Sequence, residues 1–216
     1  MMPMNRRQWI AGSAALAGMA AAPGRAFAAA EPYALPLELV HPELRSLVRQ
    51  IEGFTKGRPG LTRAALAQAR APAGGNPFSQ PPLADVPYEK RNVPGGKGQP
   101  DVAVIVINAK PGTSRPAILH THGGGFVTGS AESSVRELQS ICMELDCAAV
   151  TVDYRLAPET TFAGSVEDNY AGLRWLHANA AAVGADPARI AVMGESAGGG
   201  HAALLAIAAR DRGEVP

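Results

Sequence analysis

Six residues near the end of the chain, Gly194-Glu195-Ser196-Ala197-Gly198-Gly199, constrain the fold more than any other stretch. They follow an apolar run, Arg189-Ile190-Ala191-Val192-Met193, and open a run rich in Ala and Leu at 200–210. A strand that reverses into a helix over so few residues leaves no room for side chains beside the turn. Glycines therefore flank one Ser, and the strained turn lifts its hydroxyl above the end of the sheet. This strand–turn–helix context is the one a Gly-x-Ser-x-Gly nucleophile elbow needs.

Upstream, the periodicity changes twice. Leu44, Leu47, Val48 and Ile51 fall at i, i+3, i+4 and i+7, which predicts a helix over 42–54. A second short helix is expected at 61–70, then a loop at 71–82 rich in Pro, Gly, Asn and Ser. Two β-rich runs, 86–93 and 102–107, are separated by Pro94-Gly95-Gly96 and predict an antiparallel hairpin. After them, short apolar strands at 117–121, 148–152 and 190–193 alternate with helices at 133–144, 166–182 and beyond Ser196. Continuous apolar strands alternating with helices predict a mostly parallel sheet covered on both faces, an α/β fold.

The strand at 117–121 runs directly into His122-Gly123-Gly124-Gly125-Phe126. Consecutive glycines expose backbone N–H groups, and such donors can hold the oxyanion that develops in acyl transfer. The glycine loop and the elbow each follow a strand, with one strand–helix unit between them. Both are therefore expected at the carboxyl ends of parallel strands, where ligands bind.

These motifs, together with Asp153-Tyr154-Arg155-Leu156-Ala157-Pro158-Glu159, resemble the hormone-sensitive-lipase-like family of α/β-hydrolases, which are carboxylesterases. The resemblance covers about 86–216. Glu195 stands where Asp is common in the family, and Phe162-Ala163-Gly164 replaces its Pro-Ala. The resemblance implies Ser196 as nucleophile and the N–H groups of Gly124, Gly125 and Ala197 as oxyanion hole. Gly123, Gly194 and Gly198 support the two motifs, and His122 braces the glycine loop. It also implies a structural ion pair of Asp153 with Arg155, a small-molecule ester as substrate, and no metal or organic cofactor.

In this fold the triad order is Ser, then Asp or Glu, then His. After Ser196 the chain offers Asp211 and Glu214 as acids and His201 as its one later histidine. His201 lies within the helix of the elbow, on a turn below it, and does not read as the base. His41 and His177 read as surface or helix-capping residues, and His120 as a satisfied core histidine. The segment 209–216 reads as a loop leading into a further strand, so the C-terminal strands with the triad acid and His are expected to be missing. The strand at 190–193 is then expected to form a bare apolar edge, and this polypeptide alone to fold poorly. The expected organisation is an export signal at 1–28, a helical cover and linker at 29–84, and an incomplete α/β-hydrolase domain at 85–216. Two alternatives to a serine esterase stay open: a hydrolase-fold ligand-binding protein, and a non-functional gene remnant.

The amino terminus carries its own signal. Arg6-Arg7 precedes an apolar, Ala-rich stretch at 10–22, too short to span a bilayer, and Ala26-Phe27-Ala28 reads as a cleavage site. Asn5-Arg6-Arg7-Gln8-Trp9-Ile10 resembles a twin-arginine export signal, and an ordinary secretory signal is the alternative. Either predicts export to the periplasm or the exterior, with no membrane span remaining after cleavage. The 216 residues suffice for one sizeable core. A net charge of +1 without any basic run excludes nucleic acid as the expected partner. Oligomeric state has no sequence signature. Cys142, late in a predicted helix, and Cys147, at the start of a strand, read as two buried free thiols.

Overall fold

The computed structural model describes residues 36–55, 61–70 and 80–216, with no account of the side chains of 54 and 55. The expected export signal lies outside the described residues. The chain divides into two units, 1–59 and 60–216.

In the first unit, single 3-10 turns at Leu37–Leu39 and Pro42–Leu44 precede helix α1, Arg45–Thr55. Proline suits the first position of a helical turn because its missing N–H would be unpaired there anyway. In the second unit, α2 (Leu66–Arg70) leads to a sheet of five strands. These are β1 (Tyr88–Val93), β2 (Val102–Ile107), β3 (Arg115–Thr121), β4 (Ala148–Val152) and β5 (Ala185–Gly194). Helix α3 (Val135–Leu145) joins β3 to β4. Helices α4 (Phe162–Ala178) and α5 (Ala180–Val183) join β4 to β5, and α6 (Ala197–Arg212) follows the elbow.

The spatial order is β1-β2-β4-β3-β5. β1 and β2 form the expected antiparallel hairpin, from Tyr88 opposite Ile107 to Val93 opposite Val102. β2 is antiparallel to β4, and β4, β3 and β5 are mutually parallel, so four of the five strands point one way.

Side-chain alternation sends neighbouring residues to opposite faces. On one face Val104, Val106, Leu119, Val150 and Val152 pack with Leu173 and Leu176 of α4 and Leu205 of α6. On the other, Ile105, Ile107, Ile118 and Ala149 pack with Leu138 and Cys142 of α3. Helices thus cover both faces, and every residue of β4 is buried. Among the described residues β1 and β5 are the edges, and β5 pairs only with β3. Ala191 on β5 and Leu204 and Ile207 on α6 are exposed.

Several boundaries differ from the sequence reading. β1 begins at Tyr88 rather than at 86, because Pro87 has no N–H to offer the ladder, although its carbonyl accepts from Asn108 N at 2.8 Å. β5 begins five residues earlier than expected. Arg115 pairs with Ala185 across an irregularity that absorbs the turn-like Asp186-Pro187. The expected helix at 166–182 is two helices, broken at Asn179.

The expected Asp153–Arg155 pair does not form. Arg155 instead grips Asp168, a buried residue of α4, through Nη2 at 2.7 Å and Nε at 2.9 Å, and its backbone N–H adds a bond of 2.8 Å. A carboxylate buried in the helix–sheet interface must be matched there, and Arg155 is the cation that reaches it. Asp153 accepts from the N–H of Ala131, at the start of the 3-10 turn before α3. Cys142 and Cys147 are free and buried, and burial pushes both thiols above their usual range.

Candidate active site

The sheet order places β3 between β4 and β5, so Thr121 and Gly194 are paired where their strands end. The glycine loop and the elbow therefore emerge side by side. Helix α3 after β3 and helix α6 after β5 pack on opposite faces of the sheet, which makes this a switch point, where α/β folds bind ligands.

Ser196 is exposed and has φ 53° and ψ −119°, a backbone conformation that costs a non-glycine residue of order 1–3 kcal/mol. Its hydroxyl makes no hydrogen bond to a described residue. The helix starts immediately behind it. A Cβ on Gly198 would fall on the carbonyl oxygen of Thr121, 2.7 Å from its carbon and 2.8 Å from the carbonyl carbon of His122. The Thr121 hydroxyl donates to the Gly198 carbonyl at 2.7 Å, so β3 grips the first turn of α6.

The glycine loop is pinned from several directions. Gly124 has φ 125°, and its carbonyl accepts from the N–H and the hydroxyl of Thr128, both at 2.9 Å. That bonding turns the carbonyl into the loop. The N–H groups of Gly124 and Gly125, like that of Ala197 at the start of α6, donate to no acceptor among the described residues. His122 is buried with its ring stacked on Tyr154, centroids 4.2 Å apart, and its Nδ1–H donates to the Gly123 carbonyl at 2.7 Å. The Tyr154 hydroxyl donates to the His122 carbonyl at 2.7 Å. Burial pushes the His122 imidazole below its usual range, outweighing the bond to Gly123. These contacts make His122 a brace of the loop.

Four participants were given no functional role from the sequence, two of them, Glu195 and His120, having been read as a minor departure and a core histidine. Arg70, at the end of α2, donates to the carbonyls of Val127 and Ala157, each at 2.7 Å, and pairs bidentately with Glu159 at 2.9 Å. It fastens α2 to the end of the glycine loop and to the 153–159 segment. Thr128 orients Gly124, as described above. Glu195 accepts from the N–H of Gly123 at 2.7 Å and meets His120 Nε2 at 2.8 Å. Burial raises the Glu195 carboxyl, but the bonds from His120 and Gly123 outweigh it and hold the group below the usual carboxylate range. The one sequence signal for this pair is that Glu195 is a residue longer by one methylene than the Asp common beside such a serine.

No hydrogen bond joins Ser196 to any of the five histidines. His201 is buried beneath the loop, edge-on to Tyr154 at 4.6 Å and to Phe126 at 4.9 Å, and both its ring nitrogens lack a partner among the described residues. Burial first, and then neighbouring His122, push its pKa down. An unfolded histidine takes up a proton below about pH 6.5, while folded His201 stays neutral. Its contribution is therefore present above that pH and is lost as pH falls through the lower folded-state value. His201→Leu, similar in volume and without polar atoms, is expected to raise stability at pH 7 by about 1 kcal/mol. It should also shrink the fall in Tm between pH 7 and 5. A lower Tm at pH 7 would show that the ring nitrogens have a stabilising role.

Residues 118–216 match the α/β-hydrolase fold family. The chain has the α/β-hydrolase fold. It is 38% identical over 159 residues to carboxylesterase NlhH of Mycobacterium tuberculosis, covering 72% of this chain and 47% of the relative. It is 45% identical over 101 residues to esterase LipI of the same organism, covering 47% of this chain and 32% of the relative. Among solved structures, a bacterial heroin esterase aligns at 38% identity with a TM-score of 0.60, over 81% of this chain and 49% of that one. The hyperthermophilic esterase of Pyrobaculum calidifontis aligns at 33% identity with a TM-score of 0.64, over 81% and 55%. The chain thus spans about half the length of such relatives, or less. Among the described residues no group of three or more His, Cys, Asp or Glu is placed to hold a metal, and no helix is long and apolar enough to cross a membrane.

Proposed function

We propose that the whole protein is a serine carboxylesterase acting through an acyl-enzyme. The observations that support this reading are one exposed serine in a strained turn, a glycine loop leaving the neighbouring paired strand end, and three N–H groups, of Gly124, Gly125 and Ala197, with no acceptor among the described residues. In the proposed reaction Ser196 Oγ attacks the ester carbonyl while a histidine takes its proton, forming the tetrahedral intermediate. The N–H groups of Gly124, Gly125 and Ala197 receive the oxyanion. Collapse breaks the bond to the alcohol, which leaves with the proton from that histidine. Water then attacks the acyl-enzyme by the same route and releases the acid. No described histidine meets Ser196, so in this reading the base and its carboxylate come from residues beyond those described. The esterase names of the relatives support the reaction class.

A fluorophosphonate probe tests the reading on the full-length protein. The expected result is a single adduct, mapped by mass spectrometry to the peptide containing Ser196. Folded protein that stays unmodified would overturn it, and would favour a ligand-binding hydrolase fold.

Export is part of the same proposal, supported by Arg6-Arg7 and Ala26-Phe27-Ala28. The periplasmic or secreted product is expected to begin at Ala29, as read from its N-terminal peptide mass. An intact Met1 or Met2 terminus on the functional protein would count against export.

A further inference from the structure

We propose that Glu195, oriented by His120, is a positioning residue that ties the glycine loop to the nucleophile elbow and so sets the oxyanion donors over Ser196. The inference rests on the esterase reading for its consequence, although the strap itself is geometric.

The strap crosses three strand ends. Glu195 follows β5, His120 and Gly123 belong to the end of β3, and Thr151 lies on β4. His120 stands opposite Thr151 on one side and Met193 on the other. Its ring is buried, with Nε2 at 2.8 Å from Glu195 Oε2 and Nδ1 at 2.9 Å from the Thr151 hydroxyl. The other carboxylate oxygen, Oε1, accepts from Gly123 N–H at 2.7 Å.

A carboxylate only accepts, so it fixes His120 with the proton on Nε2, leaving Nδ1 to accept from the Thr151 hydroxyl. Every polar atom of the buried ring is then matched. Glu195 is thus held at one oxygen from within the sheet and holds Gly123 with the other. Gly123 precedes the two loop donors, Gly124 and Gly125. The loop approaches closely enough that a Cβ on Gly123 would lie 3.1 Å from the Glu195 carbonyl and 3.4 Å from Oε1. Releasing Gly123 would let the loop move away from the elbow, and a 1 Å error in placement costs about 100-fold in rate.

The role requires two acceptor–donor contacts of a particular reach, and an amide can supply both. In Glu195→Gln the side-chain oxygen still accepts from Gly123, and the amide donates to His120 Nε2 once the ring proton moves to Nδ1, where it donates to Thr151. Glu195→Ala can do neither.

The experiment compares wild type, Glu195→Ala and Glu195→Gln in the full-length protein by kinetics and by 15N NMR. Glu195→Ala is expected to lower kcat by about 10- to 100-fold, below the roughly 100- to 1,000-fold of losing one oxyanion donor outright, with KM within about twofold. Glu195→Gln should restore most of that loss. NMR should show Nε2-protonated His120 in wild type and Nδ1-protonated His120 in Glu195→Gln, with the Gly123 amide proton far downfield in both and upfield in Glu195→Ala. Equal losses in Ala and Gln, an effect confined to KM, or unchanged kcat in Glu195→Ala would overturn the proposal. If wild type neither turns over esters nor labels at Ser196, the esterase reading fails. The NMR arm then still decides whether the strap exists, and a Gly123 shift unmoved in Glu195→Ala would refute it.

Discussion

Ser196→Ala in the full-length protein should lower kcat for a short-chain p-nitrophenyl ester by about 10⁶-fold and leave KM nearly unchanged. Removing Oγ abolishes the acyl-enzyme route, while the donors of Gly124, Gly125 and Ala197 keep their positions. A residual rate of order 10³–10⁴ over water is expected from those donors and from binding alone. The substitution should not repair the fold. Alanine at φ 53° and ψ −119° carries the same strain as serine, whereas glycine tolerates that region. Ser196→Gly is therefore expected to be as inactive as Ser196→Ala but more stable by about 1 kcal/mol, read from urea unfolding. Retained turnover in Ser196→Ala would remove the serine mechanism. Equal stability of the Ala and Gly variants would mean that the turn is not strained.

The second large effect is expected at Gly198. An alanine there places its Cβ on the Thr121 carbonyl, which is backbone of a central strand and cannot rotate away. Either α6 or the end of β3 must shift, and the Thr121–Gly198 bond of 2.7 Å is lost with it. A destabilisation of about 3 kcal/mol is expected, at the upper end for overpacking. Ester turnover should fall about 100-fold or more, because the displaced backbone carries Ser196. Gly200→Ala is the matched control two residues along the same helix. Its Cβ meets the Phe126 ring edge at 3.4 Å, a side chain that can yield. Replacing a helical glycine by alanine should gain up to about 1 kcal/mol. If urea unfolding gave the two variants similar stabilities, close approach to β3 would not be what requires Gly198.

The sequence was most legible where local chemistry and tertiary role coincide. β2 and β4 run over the residues expected, Val102–Ile107 and Ala148–Val152, because continuous β-branched and small apolar residues suit a strand buried on both faces. The hairpin and the two motif loops followed from glycine and proline placement. The reading failed where distant residues decide. Arg155 was expected to pair with Asp153, two residues away, and it turns to Asp168 because that carboxylate is buried within reach. Glu195 read as a minor departure beside the serine, and His120 as an ordinary core histidine. Neither has a local pattern that reveals the other, since they are 75 residues apart in the chain.

The sequence by itself determined that a serine stands in a tight strand-to-helix turn and that a glycine loop follows a neighbouring strand, because both are dictated by side-chain size and backbone freedom over a few residues. Only the tertiary structure decided that the two loops leave paired strand ends, and that Glu195, His120 and Thr151 join them. Strand order, and with it which distant polar groups must satisfy one another once buried, is fixed by packing across the sheet.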